Sequence, residues 1–168
     1  MRVIFLDIDG VLNSEAYFTS LANPPVALDD EIDPCAVREL NKLVARHSAV
    51  VVLSSDWRKT PSKPGLAATN DALLRQGASF ELLAATPELT ERERQQRFGV
   101  QWQGSYTPRG LEIQAWLTEH STVSHFVILD DEPDMEHLVD YLVQTDQAIG
   151  LTPEDCDRAS AILDRLPR

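Results

Sequence analysis

Three short apolar runs constrain the fold of this chain more than any other feature of its sequence. They are VIFL at 3–6, VVVL at 50–53 and FVIL at 126–129. Because neither face of these runs carries a polar residue, they are typical of strands that helices cover on both sides of a sheet. We therefore predict strands at 2–6, 50–53 and 126–129, a weaker strand around 79–84 and a short fifth strand near 147–150.

Helical patterns separate the predicted strands. Asp33 and Pro34 suit the N-cap and first position of a helix. Other helices are predicted from apolar spacing at 72–74, 111–117 and 135–142, and from the capping residues Thr152, Pro153 and Asp155. This alternation predicts an α/β fold with a doubly wound, Rossmann-like parallel sheet of about five strands, whose ligand site lies at the carboxyl ends of the strands.

Length and composition fit one globular domain spanning residues 1–168, because the chain is long enough for one core and short for two. No apolar run is long enough to cross a bilayer or to form a signal peptide, so we expect a cytoplasmic protein with no membrane partner. Cys35 and Cys156 have no metal-ligand spacing, and neither a zinc site nor a disulfide framework is indicated. The net charge of −12 disfavours sequence-independent nucleic-acid binding.

Polar side chains follow each of the three strong strands directly. They are Asp7 and Asp9, then Ser54 and Ser55, then Asp130, Asp131 and Asp134. In a parallel sheet these positions meet at one edge, where crowded carboxylates repel one another unless a cation lies among them. Because an all-oxygen ligand set suits Mg²⁺, the sequence predicts a magnesium site among these acids.

The spacing of Asp7 and Asp9 directs both side chains to the same side of the first strand. One carboxylate can then attack a substrate while the other moves a proton. A carboxylate is a reasonable nucleophile toward phosphorus once Mg²⁺ reduces its repulsion from a phosphate dianion. Gly10 permits a sharp turn, and a serine hydroxyl with a nearby basic residue would hold the remaining phosphate oxygens. The simpler interpretation of DIDG alone is an Asp-Gly turn.

Four segments in this order, FLDIDGV, VVVLSS, TPRGLEI and VILDDEPD, resemble the four motifs of the haloacid dehalogenase-like (HAD) superfamily. Within it, the chain is most similar to the small HAD domains grouped with Swiss Army knife RNA repair-like proteins. The resemblance spans essentially the whole chain and implies a single HAD-like domain. Only 46 residues separate Asp7 from Ser54, which implies no cap domain or a minimal one.

The resemblance also implies roles at the predicted site. Asp7 would be the nucleophile and a ligand of Mg²⁺, and Asp9 would be the general acid and base, with its backbone carbonyl also binding metal. Asp130 would complete the metal site, assisted by Asp131 or Asp134. The phosphate-binding groups would be Ser54, with Ser55 beside it, and the basic residue of the third motif.

That basic residue matches Arg109, whose guanidinium can bind phosphate in a bidentate way. Arg58 and Lys59, just beyond the serine motif, are alternatives. We expect the charge of Asp56 to point away from a phosphate site. Trp57 is interpreted as a packing residue that is close enough to the site to line it.

These features predict a Mg²⁺-dependent phosphomonoesterase that acts through an aspartyl-phosphate on Asp7, on a phosphorylated small molecule or a nucleotide end. A dehalogenase is disfavoured because it would have no use for Asp9 or the acidic fourth motif. Two alternatives stay open: a non-catalytic phospho-acceptor or binding module, and a phosphatase component of nucleic-acid end repair.

The stretch from Glu91 to Gly110 carries four arginines against two glutamates, with Trp102 and Tyr106 interleaved. Its charge run ERERQQR is most simply a solvated helix face. An alternative hypothesis is that this stretch guides a phosphorylated substrate and that its aromatic side chains stack on a base.

Overall fold

The structure, a computed structural model, describes residues 1–59, 62–99 and 107–165. The predicted fold class is confirmed: five parallel strands form a sheet in the order β3-β2-β1-β4-β5, flanked by helices. The strands are β1 (Arg2–Leu6), β2 (Val50–Leu53), β3 (Leu82–Ala85), β4 (His125–Asp130) and β5 (Leu142–Gln144). The helices are α1 (Glu15–Ser20), α2 (Pro34–His47), α3 (Gly65–Arg75), α4 (Glu91–Phe98), α5 (Arg109–Glu119) and α6 (Pro153–Leu163).

Side chains alternate across β1 and divide the core into two layers. Ile4 and Leu6 belong to a buried cluster with apolar residues of α2 and α6. On the other face, Phe5 packs edge-to-face against Trp116 of α5, with ring centroids 5.4 Å apart. A strand that is apolar on both faces is therefore what this position requires, as the sequence predicted.

Capping residues begin two helices where the sequence predicted them. Asp33 accepts a hydrogen bond from the backbone N–H of Cys35 at 2.7 Å, and Pro34 is the first residue of α2. Thr152 and Asp155 form a reciprocal capping box at the start of α6. Both predicted helix starts are confirmed.

Two predictions near the C-terminal part of the sheet were wrong. Residues 135–142 do not form an α-helix: a 3-10 segment covers Glu136–Tyr141, and Leu142 begins β5, where it pairs with Ile128. The apolar spacing misled because Val139 is exposed and Leu142 is a strand residue. Residues 147–150 are not a strand but a turn, closed by a bridge between Asp146 and Gly150.

The connection from β1 to β2 is described in full, and it contains α1, a 3-10 segment at Leu28–Glu31 and α2. The sequence predicted a loop where α1 lies, although Ser14 accepts a hydrogen bond from the N–H of Tyr17 and caps that helix. No separate cap domain occupies residues 7–49. Among helices in the described residues, none has the length and apolar character that crossing a membrane requires.

Candidate active site

The hydrogen-bond ladder of the sheet continues one residue beyond its central strands. The N–H of Asp7 donates to the carbonyl of Leu129 at 2.9 Å, and the N–H of Ser54 donates to the carbonyl of Leu6 at 2.7 Å. Asp130, the last residue of β4, follows Leu129 directly. The parallel register therefore brings Asp7, Ser54 and Asp130 together at the carboxyl edge.

Three carboxylates meet at this edge. Asp7, Asp130 and Asp131 each offer an oxygen, and the three oxygens lie within 4.8 Å of one another. Gly10 makes this approach possible: its φ is +70°, and a Cβ at this position would overlap the side chain of Asp131. We call Asp7, Asp130 and Asp131 the acidic trio.

Asp134 lies outside the acidic trio and has a different contact. Its Oδ2 accepts a hydrogen bond from the backbone N–H of Arg109 at 3.0 Å, and its carbonyl accepts one from Gly110 at 3.1 Å. Of the two candidates that sequence left open, the structure thus brings Asp131 to Asp7 and Asp130, and it places Asp134 at the start of α5.

Burial makes the charges of the trio unfavourable. Asp7 and Asp130 are 6% and 1% exposed. Burial raises the pKa of Asp7, while Arg109, the Ser55 hydroxyl and the Ile8 N–H act in the opposite direction. Burial, and then the neighbouring Asp7, raise the pKa of Asp130.

The donor set of the trio fits a hard cation. Oδ2 of Asp130 is buried and makes no hydrogen bond to any residue that the structure describes. A divalent cation among these oxygens would offset both their repulsion and the cost of their burial. Carboxylates without nitrogen or sulfur ligands are typical of Mg²⁺, which retains several waters or phosphate oxygens. The backbone carbonyl of Asp9 as a further ligand stays a prediction.

Arg109 is the basic residue that faces the trio. Its guanidinium lies 3.7 Å from Asp130 through Nε and 4.0 Å from Asp7 through Nη2. Burial lowers the pKa of Arg109, but Asp7, Asp130, Glu112 and Asp56 together raise it above its usual value. The side chain is therefore charged and positioned to contact an anion bound at the trio.

The two alternatives to Arg109 have other partners. The Arg58 side chain is buried, forms an ion pair with buried Glu112, and donates to the carbonyl of Ser55. Lys59 forms an ion pair with Asp56 at 2.6 Å. Glu112, which sequence reasoning missed, also approaches Arg109 at 3.9 Å. The geometry therefore indicates that Arg58 stabilises buried Glu112 rather than binding an anion at the acidic trio.

The two serines differ in their contacts. The hydroxyl of Ser54 is buried and makes no hydrogen bond within the described part of the chain, so it is available to a bound group. Ser55 accepts a hydrogen bond from the N–H of Trp57 at 3.3 Å, and its hydroxyl bonds with Asp7. Ser54 is thus the better candidate for contacting substrate.

The Asp9 side chain is not part of the acidic trio, and two donors hold it. Its Oδ1 accepts a hydrogen bond from Nδ2 of Asn13 at 2.9 Å, and the indole N–H of Trp57 lies 3.1 Å from both Oδ1 and Oδ2. Sequence reasoning gave Trp57 a packing role and gave Asn13 none. The available signal was Asn13 itself, which follows the DG turn within FLDIDGVLN.

A cavity of about 640 Å³ opens beside Arg109. Asp56 lines it and lies 3.6 Å from Arg109, so the expectation that the charge of Asp56 points away from the site was wrong.

The charge run ERERQQR is only partly solvated. Arg94 of α4 is buried, donates to the hydroxyl of Thr107 and also lines the cavity. The predicted stacking residues Trp102 and Tyr106 lie outside the described residues.

Fold and site together define a Rossmann-like α/β domain with an acidic site at its strand ends. The chain matches the family described as "HAD domain in Swiss Army Knife RNA repair proteins" over residues 3–156, and it belongs to that family. The predicted resemblance is confirmed. Membership supports a phosphatase-type activity or a role in RNA repair. The comparison with curated proteins returns no match.

The acidic trio predicts a magnesium-dependent gain in stability. Adding Mg²⁺ to the wild-type protein should raise its melting temperature, because a ligand that binds only the folded state stabilises it, by about 2.7 kcal/mol at a hundredfold excess over Kd. Asp130→Asn should abolish the rise, and Asp131→Asn should reduce it. Differential scanning fluorimetry with and without Mg²⁺ measures both effects.

Asp134→Asn is the matched control, since Asp134 follows the same strand but lies outside the trio. This variant should retain the magnesium-dependent rise. Equal losses in Asp131→Asn and Asp134→Asn would contradict the assignment of Asp131, and an unchanged rise in Asp130→Asn would contradict the site.

Arg109 and Arg58 should differ in their effect on phosphate binding when each is changed to Gln. Arg109→Gln should weaken inhibition by inorganic phosphate about tenfold or more, because it removes the charge that faces the trio, and it should also lower the melting temperature, because Asp7 and Asp130 lose their facing cation. Arg58→Gln should lose about 3–5 kcal/mol of stability, because it leaves Glu112 buried without its charged partner. Arg58→Gln should keep phosphate inhibition close to that of the wild type, so phosphate inhibition separates the two roles, and weaker inhibition in Arg58→Gln than in Arg109→Gln would refute them.

Proposed function

We propose that this chain is a Mg²⁺-dependent phosphomonoesterase that acts through an aspartyl-phosphate on Asp7. The observation that carries the proposal is the buried Asp7 carboxylate, which lies close to Asp130 and Asp131 and 4.0 Å from the Arg109 guanidinium. This arrangement supplies a nucleophile, a place for a cation and a fixed positive charge for a phosphoryl group. The phosphoryl group would also accept a hydrogen bond from Ser54.

In the first step a carboxylate oxygen of Asp7 attacks phosphorus. The bond from phosphorus to the ester oxygen breaks, and that oxygen takes its electron pair and the proton of Asp9 and leaves as an alcohol. In the second step water attacks the aspartyl-phosphate and gives its proton to Asp9. The bond from phosphorus to Asp7 breaks, so that inorganic phosphate and the free carboxylate are restored.

Mg²⁺ bound at the trio would neutralise phosphate charge and lower the repulsion that Asp7 meets when it attacks. Arg109 contributes a second positive charge that does not depend on metal. The hydroxyl of Ser54, buried and available, would orient the phosphoryl oxygens for in-line attack.

The charge of the cavity supports a small ester as the substrate. Five carboxylates line it among the described residues: Asp56, Glu88, Glu112, Glu132 and Asp134. Three cations face them, Lys59, Arg94 and Arg109, and Arg58 pairs with Glu112, so the carboxylates outnumber these cations by one. The internal residues outside the described ranges, 60–61 and 100–106, carry no charged side chain, so they do not change this count of charges. An acidic wall repels backbone phosphates, which nucleic-acid sites attract with clustered Lys and Arg.

A second candidate function is removal of a phosphate from an RNA end. The family description favours it, since these domains occur in RNA repair proteins. The absence of a cap domain in residues 7–49 is compatible with it, because a large substrate could then approach the strand ends.

Replacing the nucleophile tests the main proposal. Wild-type protein with Mg²⁺ should hydrolyse p-nitrophenyl phosphate, and Asp7→Asn should lower kcat at least about a thousandfold, since an amide cannot form the acyl phosphate. Release of p-nitrophenolate measures turnover, and mass spectrometry of quenched wild-type protein should find a phosphoryl group on Asp7. Asp71→Asn, a change of an exposed carboxylate on α3, is the control and should keep full activity.

Two other results would decide against this mechanism. Undiminished turnover by Asp7→Asn would exclude Asp7 as the nucleophile. A stable phosphoryl group on Asp7 without turnover would instead favour the phospho-acceptor module that the sequence left open.

Competing substrates separate the two candidate functions. We expect kcat/KM for phosphorylated sugars or mononucleosides to exceed that for 3′- or 5′-phosphorylated oligoribonucleotides by about tenfold or more at low salt, because the acidic cavity repels a polyanion. Phosphate release is the measurement. A preference for the oligonucleotides that weakens as salt rises would support the RNA-end function instead.

A further inference from the structure

Trp57 contacts the proposed acid and base of the reaction from a fixed position. It lies in the 3-10 segment Asp56–Arg58, which begins directly after the two serines and is capped by Ser55. The Trp57 side chain is 3% exposed and packs in the cluster that contains α2 and α6 residues. Packing therefore restricts the movement of its indole ring, which stays in place even if the Asp9 side chain rotates.

The hydrogen bonds at Asp9 fix the orientation of its carboxylate. The Trp57 indole nitrogen lies 3.1 Å from each oxygen, so it contacts both equally. Asn13 adds a bond of 2.9 Å to Oδ1, and Oδ1 of Asn13 in turn accepts the N–H of Gly10. Since Asp9 is exposed, rotation of its side chain would otherwise be opposed only weakly.

A buried tryptophan N–H usually has a hydrogen-bond partner, and one carboxylate oxygen would satisfy that need. The arrangement here goes further, because two donors from separate segments of the chain hold one exposed carboxylate. A carboxylate offers about four acceptor sites, so these contacts leave a site free for the proton that Asp9 would donate to the ester oxygen or take from water.

We propose that Trp57, together with Asn13, is a positioning residue that holds Asp9 in line with the leaving group. This inference rests on the proposed phosphomonoesterase function. Alignment of a general acid contributes most where the departing oxygen most needs a proton. An alcohol leaves with difficulty without one, whereas p-nitrophenolate is a good leaving group and needs little help.

Trp57→Phe removes the indole N–H and keeps an aromatic ring. We expect kcat/KM for benzyl phosphate, an alkyl ester, to fall about 10–100-fold, and kcat/KM for p-nitrophenyl phosphate to fall about threefold or less, since general acid catalysis contributes about 10²–10⁴-fold when it is needed. The ratio of the two constants is the measurement. It reports the first chemical step for two esters of similar size, so that general losses of binding or folding cancel.

Trp116→Phe is the matched control. Trp116 is also 3% exposed, and it packs against Phe5 in the other layer of the core. Both variants should lose melting temperature, because each replaces a buried indole, but Trp116→Phe should leave the ratio unchanged. In an Asp9→Asn background, Trp57→Phe should produce no further change in the ratio, because the group that it positions is already disabled.

A folded Trp57→Phe protein with an unchanged ratio would overturn the inference, and Asp7-dependent turnover in the same preparation would show that the proposed function still stands. If Trp57→Phe does not fold, Asn13→Ala provides the same comparison, and an unchanged ratio in that variant overturns the inference. Wild-type protein that hydrolyses neither ester would refute the proposed function and the inference together.

Discussion

Two buried carboxylates at the ends of hydrogen-bonded strands are the constraint on which the rest of the site depends. Asp7 and Asp130 cannot separate, because the β1–β4 register fixes their backbones beside each other. Their burial and mutual repulsion raise the pKa of Asp130, which means that the fold holds charge in an unfavourable place. A buried pair of carboxylates is stable only if other groups offset its negative charge, and the neighbouring side chains do so.

Much of the compensation comes from one guanidinium, and the start of α5 is built to place it. The backbone N–H of Arg109 is held by Asp134, and the next residue, Gly110, lies so close to the backbone of Met135 that a Cβ would overlap it. Glycine lowers helix propensity, so its presence inside α5 reflects packing rather than helix stability. The end of β4 and the loop after it thus supply two acids of the trio, Asp130 and Asp131, and Asp134 of that loop anchors the cation that faces them.

Sequence alone was sufficient wherever a residue's position follows from topology. Asp7, Ser54 and Asp130 follow continuous apolar runs, and a parallel sheet brings such positions to one edge, so their meeting could be predicted. Sequence was insufficient where the direction of a side chain determines whether it reaches the site. Asp131 and Asp134 follow the same strand and differ in where the loop directs them, and the Asp131 side chain has room at the site because Gly10 has no side chain. Periodicity failed near β5, because a 3-10 segment followed by a strand produced the spacing of a helix face.

The contact between Trp57 and Asp9 was beyond sequence reasoning, because it joins residues 48 positions apart through a single side-chain rotamer. It links the two motifs that the reaction would use in succession. The segment after β2 carries the serine that is proposed to contact the phosphoryl group and, three residues later, the indole that is proposed to position Asp9. A shift of that segment would move both together, so their relative geometry is preserved more readily than if separate loops held them. The proposed chemistry thus depends on the sheet edge and the turns that follow it, and the cavity beside Arg109 would be the part of the site that selects a substrate.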